Sequence, residues 1–559
     1  MSRPTVSRPT LARYGPALAV AAALLWLVGY PLLLTLFEAL GIGGVGAGFT
    51  LAHFAEFAGR GDEWLALWRS LWISAASVAL AALVGMPLAF LFERADFPGR
   101  RTLGALVVLP VALPPLVGVV AFLFLWGESG FASRLIQAAL TLERPPWRLQ
   151  GPAAILLVHG YSMFVFFYLF VRAALARLDG AMLEAAAVLG AGRARTFFRV
   201  VLPQLRPALL GASLLTFMTS LGSFSAPYVF AGGYRVMTTQ IYASMSNNRI
   251  GTARVEAVVL AVVALLALVV IRRLQGPDAV AAGHGVAPAR RQTARPLARA
   301  ALTAAAAAAV AFLLLPHATL LLISLAPADV WTVELLPPEL SLANYRDLFS
   351  EPERLRPMLN SLWMATAATA GAVALGLAAA RQALRLGGRL GAGLEGLVAL
   401  PWAIPGTVFA LALGTAFSVD QPYLGRFVWV GTAVILPLAY LVRCLPITGR
   451  AILAGLRQLD PALEEAAASL GAGRARAFAR VVLPLLRPAL VAGLGLAFIT
   501  ALGDFVTSIV LYTFTTRPIS IEIQTSLRVQ EFGAAAAYGV LLMVLSATVF
   551  MVWGRGEEA

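Results

Sequence analysis

Long apolar runs separated by short polar breaks fill the chain from end to end. A run of roughly twenty apolar residues with few charges is long enough to cross a bilayer as a helix. Such runs lie near 17–40, 66–92, 105–127, 152–175, 204–229 and 254–272. They lie again near 299–325, 358–383, 392–417, 427–447, 486–512 and 534–553. The pattern predicts an all-α integral membrane protein with two tandem homologous six-helix transmembrane domains, about 12 spans in all. The first run is too long for a typical signal core and lacks a clear small-x-small cleavage site, so it reads as a retained anchor.

The polar breaks repeat as well. Residues 183–209 read LEAAAVLGAGRARTFFRVVLPQLRPAL, and residues 463–490 read LEEAAASLGAGRARAFARVVLPLLRPAL. Glu184, Ala185, Ala186 and Gly190 map onto Glu465, Ala466, Ala467 and Gly471 at one displacement of 281 positions. An ordered motif repeated at a fixed long interval marks a duplicated domain. Ser70-Leu71-Trp72 recurs as Ser361-Leu362-Trp363, and Leu109-Pro110 with Pro114 recurs as Leu400-Pro401 with Pro405, here displaced by 291. The first copy therefore carries ten extra residues, most simply in the loop 128–151. The domains run 1–272 and 299–559. Residues 273–298, rich in Gly, Pro, Ala and Arg without apolar periodicity, read as a flexible linker.

Each repeated stretch, 179–209 and 460–490, has the grammar of a short helical hairpin. Asp179 and Asp460 suit a helix start. The alanines that follow are strong helix formers with small side chains. Gly190 and Gly471 suit a helix end. A second, Arg-rich helix is expected to end near Pro203 and Pro484. Small side chains let another protein approach closely, so the stretch reads as a docking element rather than a catalytic centre.

The spacing E-A-A, three residues, G, nine residues, an aliphatic residue, any residue, L-P resembles the signature loop of binding-protein-dependent ABC importer permeases, and both copies match it without a gap. In that family the loop forms a coupling helix seated in a cleft of the ATPase subunit. The resemblance implies MetI-like transmembrane domains, here two fused in one chain. It implies two copies of an ABC ATPase subunit, a periplasmic or lipid-anchored substrate-binding protein, and one copy of this chain per complex. Glu184, Ala185, Ala186, Gly190, Glu465, Ala466, Ala467 and Gly471 then become the ATPase-coupling residues. Ser225-Ala226-Pro227-Tyr228 with Gly232-Gly233-Tyr234-Arg235, and Thr516-Arg517-Pro518-Ile519-Ser520 with Phe532-Gly533-Ala534, look most like the ferric-iron group. Thiamine, polyamine and phosphonate systems are the alternatives, and an ion-gradient-driven secondary transporter is the alternative from another class.

Composition agrees and narrows the field. With 60% hydrophobic residues, 13% charged and a mean hydropathy of +0.81, the 559-residue chain has too much apolar surface for a soluble domain. All 43 basic residues are arginine, so the Walker A lysine has no candidate and ATP hydrolysis is expected in a partner. No metal ligand set or cofactor motif stands out among four scattered histidines and one cysteine. A net charge of +15 hints at nucleic acid, but 29 of the 43 arginines fall on one side of the expected topology. That bias is the positive-inside rule, and it argues for membrane lipid as the partner and against nucleic acid. The resemblance implies a bacterial cytoplasmic (inner) membrane, and the bias orients the multi-pass chain there with both termini, the linker and both signature loops cytoplasmic. The acidic, Pro-rich segment 326–357 faces the binding protein or stays solvated.

Four positions inside the spans are candidates for the translocation pathway. Pro114 and Pro405 break matching spans, which suits a gated pathway or simple packing kinks. Asp504 is the one intramembrane charge singled out, and Ser223 is its counterpart. A carboxylate at that depth is either functional or bonded to backbone at a local helix break.

Overall fold

The computed structural model describes residues 8–42, 48–230, 232–275, 291–292, 295–327, 336–337, 339–418 and 427–554. Eleven helices among the described residues are long and apolar enough to cross a membrane, and a pair bent by 107°, Gly388–Ala403 with Gly406–Ala416, brings the number to twelve if it crosses as one span. The architecture is all-α apart from one two-residue bridge. There Ala95-Asp96 pairs in parallel with Arg291-Gln292. Most of the expected flexible linker, 276–290 and 293–294, lies outside the described residues. Its end is not loose: the bridge ties it to the first domain, and the next helix begins at Pro296 rather than at 299.

The two halves follow one plan. A first span, Tyr14–Ala39 or Pro296–Ser324, leads to a long helix, Gly61–Arg94 or Pro352–Leu386. A broken span follows. Next come Gly151–Ala176 or Ile435–Gln458, then Arg193–Leu221 or Arg474–Leu502, and last the closing helices from Ile250 and Phe532. The ten extra residues of the first half include a helix, Phe131–Ala139, in the loop that the repeat offset indicated.

The halves are interlocked rather than side by side. The first span of the first half packs on Gly406–Ala416 and Pro352–Leu386 of the second. Reciprocally, Pro296–Ser324 packs on Pro115–Trp126. Trp26 makes edge contacts with Phe417 and Trp429 across this junction, at 5.5 and 5.4 Å between ring centres. Tyr161 donates to the carbonyl of Leu313 at 2.9 Å. Association in lipid depends on such packing and interhelical hydrogen bonds, since apolar burial alone gives little preference there.

Three expectations are corrected. The run 427–447 is not a span as it stands; the helix is Ile435–Gln458. Trp429 stacks on Phe417 at 4.9 Å, both Trp429 and Val430 donate their N–H groups to the Phe417 carbonyl, and Gly431 takes φ +86°. Those aromatics fold a loop, although hydropathy counts them as span. Second, no short basic helix ends at Pro203 or Pro484. Five-residue π turns, Phe197–Val201 and Phe478–Val482, carry each helix through into the span. A proline interrupts the regular i→i−4 bonding, and a wider π turn just before it accommodates the missing donor. Third, Asp504 is not alone. Arg443 and Glu256 also lie within spans, and Glu256 has no exposure at all.

Candidate functional site

The four intramembrane candidates meet at the junction of the halves. Pro114 and Pro405 have nearly the same backbone, φ −53°, ψ 143° and φ −55°, ψ 142°. Each starts the second segment of a broken span, and the second-half pair is bent by 107°. The helices Leu202–Leu221 and Leu483–Leu502 break at Gly222-Ser223 and Gly503-Asp504. Short helices Ser225–Phe230 and Val506–Leu511 follow. The breaks cross over between halves. Gly222 of the first half rests on Pro405 of the second, and Gly503 of the second rests on Pro114 of the first. A Cβ at 503 would sit 2.5 Å from Pro114 Cβ, so only glycine allows that approach.

An aromatic cluster closes over this crossing. Phe224 and Phe505, the equivalent residues of the two halves, lie 5.8 Å apart. Tyr228 stacks on Phe224 at 5.2 Å and meets Phe505 at 5.7 Å. Tyr242 packs edge-on against both Phe224 and Tyr228. The Tyr228 hydroxyl accepts from Arg528 Nη2 at 2.6 Å, which bonds the first half to the second.

Polar anchors hold each break to its own half. Asp504 is buried and lies 2.8 Å from Arg443 Nε, an electrostatic contact rather than an aligned hydrogen bond. Its Oδ1 accepts from the Thr507 N–H at 2.8 Å and from the Thr507 hydroxyl at 2.6 Å. Asp504 is thus both an ion-pair partner and the carboxylate that starts the short helix after the break. Ser223 instead meets His159 Nε2 at 2.9 Å. The other ring nitrogen of His159 faces the hydroxyls of Ser77 and Ser220 at 2.9 and 3.1 Å. Arg443 and His159 escaped the sequence reading. A single arginine near the end of an apolar run counts as the edge of a loop, and a lone histidine has no spacing to mark it.

The first helix of each signature stretch is built as its sequence predicts. Asp179 accepts from the Ala181 N–H at 3.0 Å, and Asp460 from that of Ala462 at 2.9 Å. Helices Gly180–Val188 and Ala462–Ser469 follow. Gly190 and Gly471 take φ +71° and +79° with nothing within 4 Å of a Cβ. They are needed for that left-handed turn, not for packing. Ala191 and Ala472 donate back to the carbonyls of Ala186 and Ala467, closing each helix end.

Only Ala186 and Ala467 of the candidate coupling residues face the chain's own core. Glu184, Ala185, Glu465 and Ala466 are exposed. Beside them Val188, Leu189 and Leu470 are 87%, 86% and 89% exposed. Apolar residues so open, held on a capped helix away from the spans, form a surface suited to a partner.

Among the described residues no group of three or more His, Cys, Asp or Glu is placed to hold a metal ion.

Comparison with known proteins identifies the plan. The family described as "Binding-protein-dependent transport system inner membrane component" matches twice, over residues 81–276 and 372–555. The "Probable ABC transporter permease protein y4fN" of Sinorhizobium fredii is 31% identical over 88% of this chain and 87% of its own length. The "Ferric transport system permease protein FbpB" of Actinobacillus pleuropneumoniae is 28% identical over 80% of this chain; the match spans 65% of that relative's length. The "Sulfate transport system permease protein CysT" of Salmonella typhimurium is 32% identical, over 42% of this chain and 85% of its own length. The chain belongs to the binding-protein-dependent transport system inner membrane components, the permeases of ABC transporters, as two such units fused in one polypeptide.

Proposed function

We propose that one copy of this chain forms the whole membrane passage of an ABC importer, with ATP hydrolysis supplied by two separate ATPase subunits. The observation that carries this reading is that the family matches twice in one chain, each match containing one exposed signature helix. Glu184, Ala185, Ala186 and Gly190 form one ATPase seat, and Glu465, Ala466, Ala467 and Gly471 the other. Nucleotide-driven closure of the ATPases moves the two seats and opens the crossing at Pro114, Pro405, Ser223 and Asp504. The arginine bias supports a cytoplasmic signature face, with both termini and the linker on that side. A periplasmic or lipid-anchored binding protein delivers cargo to the opposite face. Ferric iron is the cargo best supported: the ferric permease aligns across both halves, whereas the sulfate permease aligns over less than half the chain.

Native mass spectrometry of the purified complex tests the assembly. The expected stoichiometry is one of these chains to two ATPases. Two chains to two ATPases leaves a seat idle on each chain and ends the fused-pair reading.

Uptake of labelled ferric iron, with sulfate and molybdate as controls, tests the cargo in cells lacking their own system. In the same assay Glu184→Lys with Glu465→Lys is expected to cut uptake roughly thirtyfold, since two seats each lose contact worth on the order of 1 kcal/mol. Helix propensity hardly changes, so the protein should still reach the membrane. Loss of the protein from the membrane would return these residues to the fold.

A further inference from the structure

The two breaks are equivalent in sequence position but not in how they are held. On the second-half side, the Asp504 carboxylate has Arg443 and both donors of Thr507. The Asp504 carbonyl accepts from Ser508 and from Ser520, the latter at 2.9 Å. Gly503 is seated against the Pro114 ring with no room for a methyl group. On the first-half side, Ser223 has one side-chain partner, His159, and its carbonyl accepts from Thr238 at 2.7 Å. A Cβ at Gly222 would stand 3.6 Å from Pro405 Cα, ordinary contact distance. The partners of His159 are hydroxyls, which give weaker bonds than a charged pair in the same low-dielectric surroundings.

We propose that the gate opens unevenly: the second-half break, residues 502–511, is the fixed jaw, and the first-half break, residues 221–230, is the moving jaw. Arg443 and His159 are the positioning residues that set this difference. Arg443 holds its jaw through charge. It is also confined, because its Nη1 lies 1.6 Å from where a Cβ on residue 406 would be, against the bare Gly406 backbone. His159 holds the other jaw through a single ring nitrogen and can release it without leaving a charge unpaired. The moving jaw carries Tyr228, whose hydroxyl is tied to Arg528 of the opposite half. Release of Ser223 therefore has to break that cross-half bond as well, which couples the jaw to the position of the second half. This assignment rests on the gate reading above.

Hydrogen–deuterium exchange of the intact complex with its ATPases, read on peptides covering 216–230 and 497–511, tests it. Without nucleotide, amides of 221–230 are expected to exchange about tenfold faster than those of 502–511, because local opening follows local tethering. Trapping the ATPases with nucleotide and vanadate should speed 221–230 further and leave 502–511 within twofold. His159→Leu should raise exchange only in 221–230, and Arg443→Gln only in 502–511. Equal rates in the two segments, or a rise in both with nucleotide, would overturn the assignment. That comparison uses the unaltered protein, so it stands even where a variant fails to assemble. A resting difference with no response to nucleotide in either segment would instead remove the gate reading, and the moving jaw with it, while leaving the unequal tethering intact.

Discussion

Gly503→Ala is expected to spring the resting gate, whereas Gly222→Ala at the equivalent position is expected to be nearly silent. The added methyl at 503 would come within 2.5 Å of Pro114 Cβ and 3.0 Å of its Cγ. A proline ring at a helix break has no rotamer to yield, so the first half must draw back from the second. Overpacking of this kind costs about 1–3 kcal/mol. Pro114 belongs to the first half and the fixed jaw to the second, so parting of the halves relieves the clash and the balance shifts toward the open state by roughly tenfold or more. At 222 the nearest atoms stand at 3.4 Å and beyond, and a methyl group fits. Basal ATP hydrolysis of the purified complex without binding protein is the readout. It should rise severalfold in Gly503→Ala and stay within twofold of the parent in Gly222→Ala. Equal responses would mean that the two halves close symmetrically and that the crossing seen here is not the resting barrier.

The contrast between these glycines also shows what a sequence can carry. The repeat, the span plan and the signature helices were legible because each rests on local chemistry: apolar run length, a capping aspartate, a glycine at a left-handed turn. Asp179, Asp460, Gly190 and Gly471 do what their types do anywhere. Pro114 and Pro405 announced kinks, but not that Gly503 and Gly222 would lie against them from the opposite half. That contact depends on how the halves interlock, and no periodicity encodes it. The π turns before Pro203 and Pro484 were hidden for a similar reason: proline reads as a stop, and only the continuing apolar face shows that the helix goes on. Arg443 was lost by averaging. Its apolar neighbours outweigh one charge in hydropathy, and its partner lies 61 positions further along the chain.

That partner sets the other large effect. Asp504→Asn is expected to destabilise the second half strongly, more than removal of both charges together. Asparagine keeps an oxygen that accepts from the Thr507 N–H, so the short helix Val506–Leu511 keeps its start. The loss is therefore electrostatic. Arg443, 28% exposed, would face an uncharged amide and keep only part of its charge toward solvent. Breaking a fully buried pair by removing one partner costs about 3–5 kcal/mol, because the remaining charge is stranded, and the part exposure of Arg443 brings the loss here toward or below the low end of that range. Arg443→Gln with Asp504→Asn strands nothing, and two amides can still bond to each other. The double variant should recover most of the stability lost in Asp504→Asn, a coupling that additive effects cannot produce. Thermal unfolding in detergent measures the first quantity and uptake measures the second. If the pair were only structural, the double variant would regain uptake along with stability. If the charge also fixes the jaw, the double variant should be stable yet leak, with raised ATP hydrolysis in the absence of binding protein. A single Asp504→Asn variant as stable as the parent would show that Arg443 reaches water by another route, and the ion pair would then lose its place as the anchor.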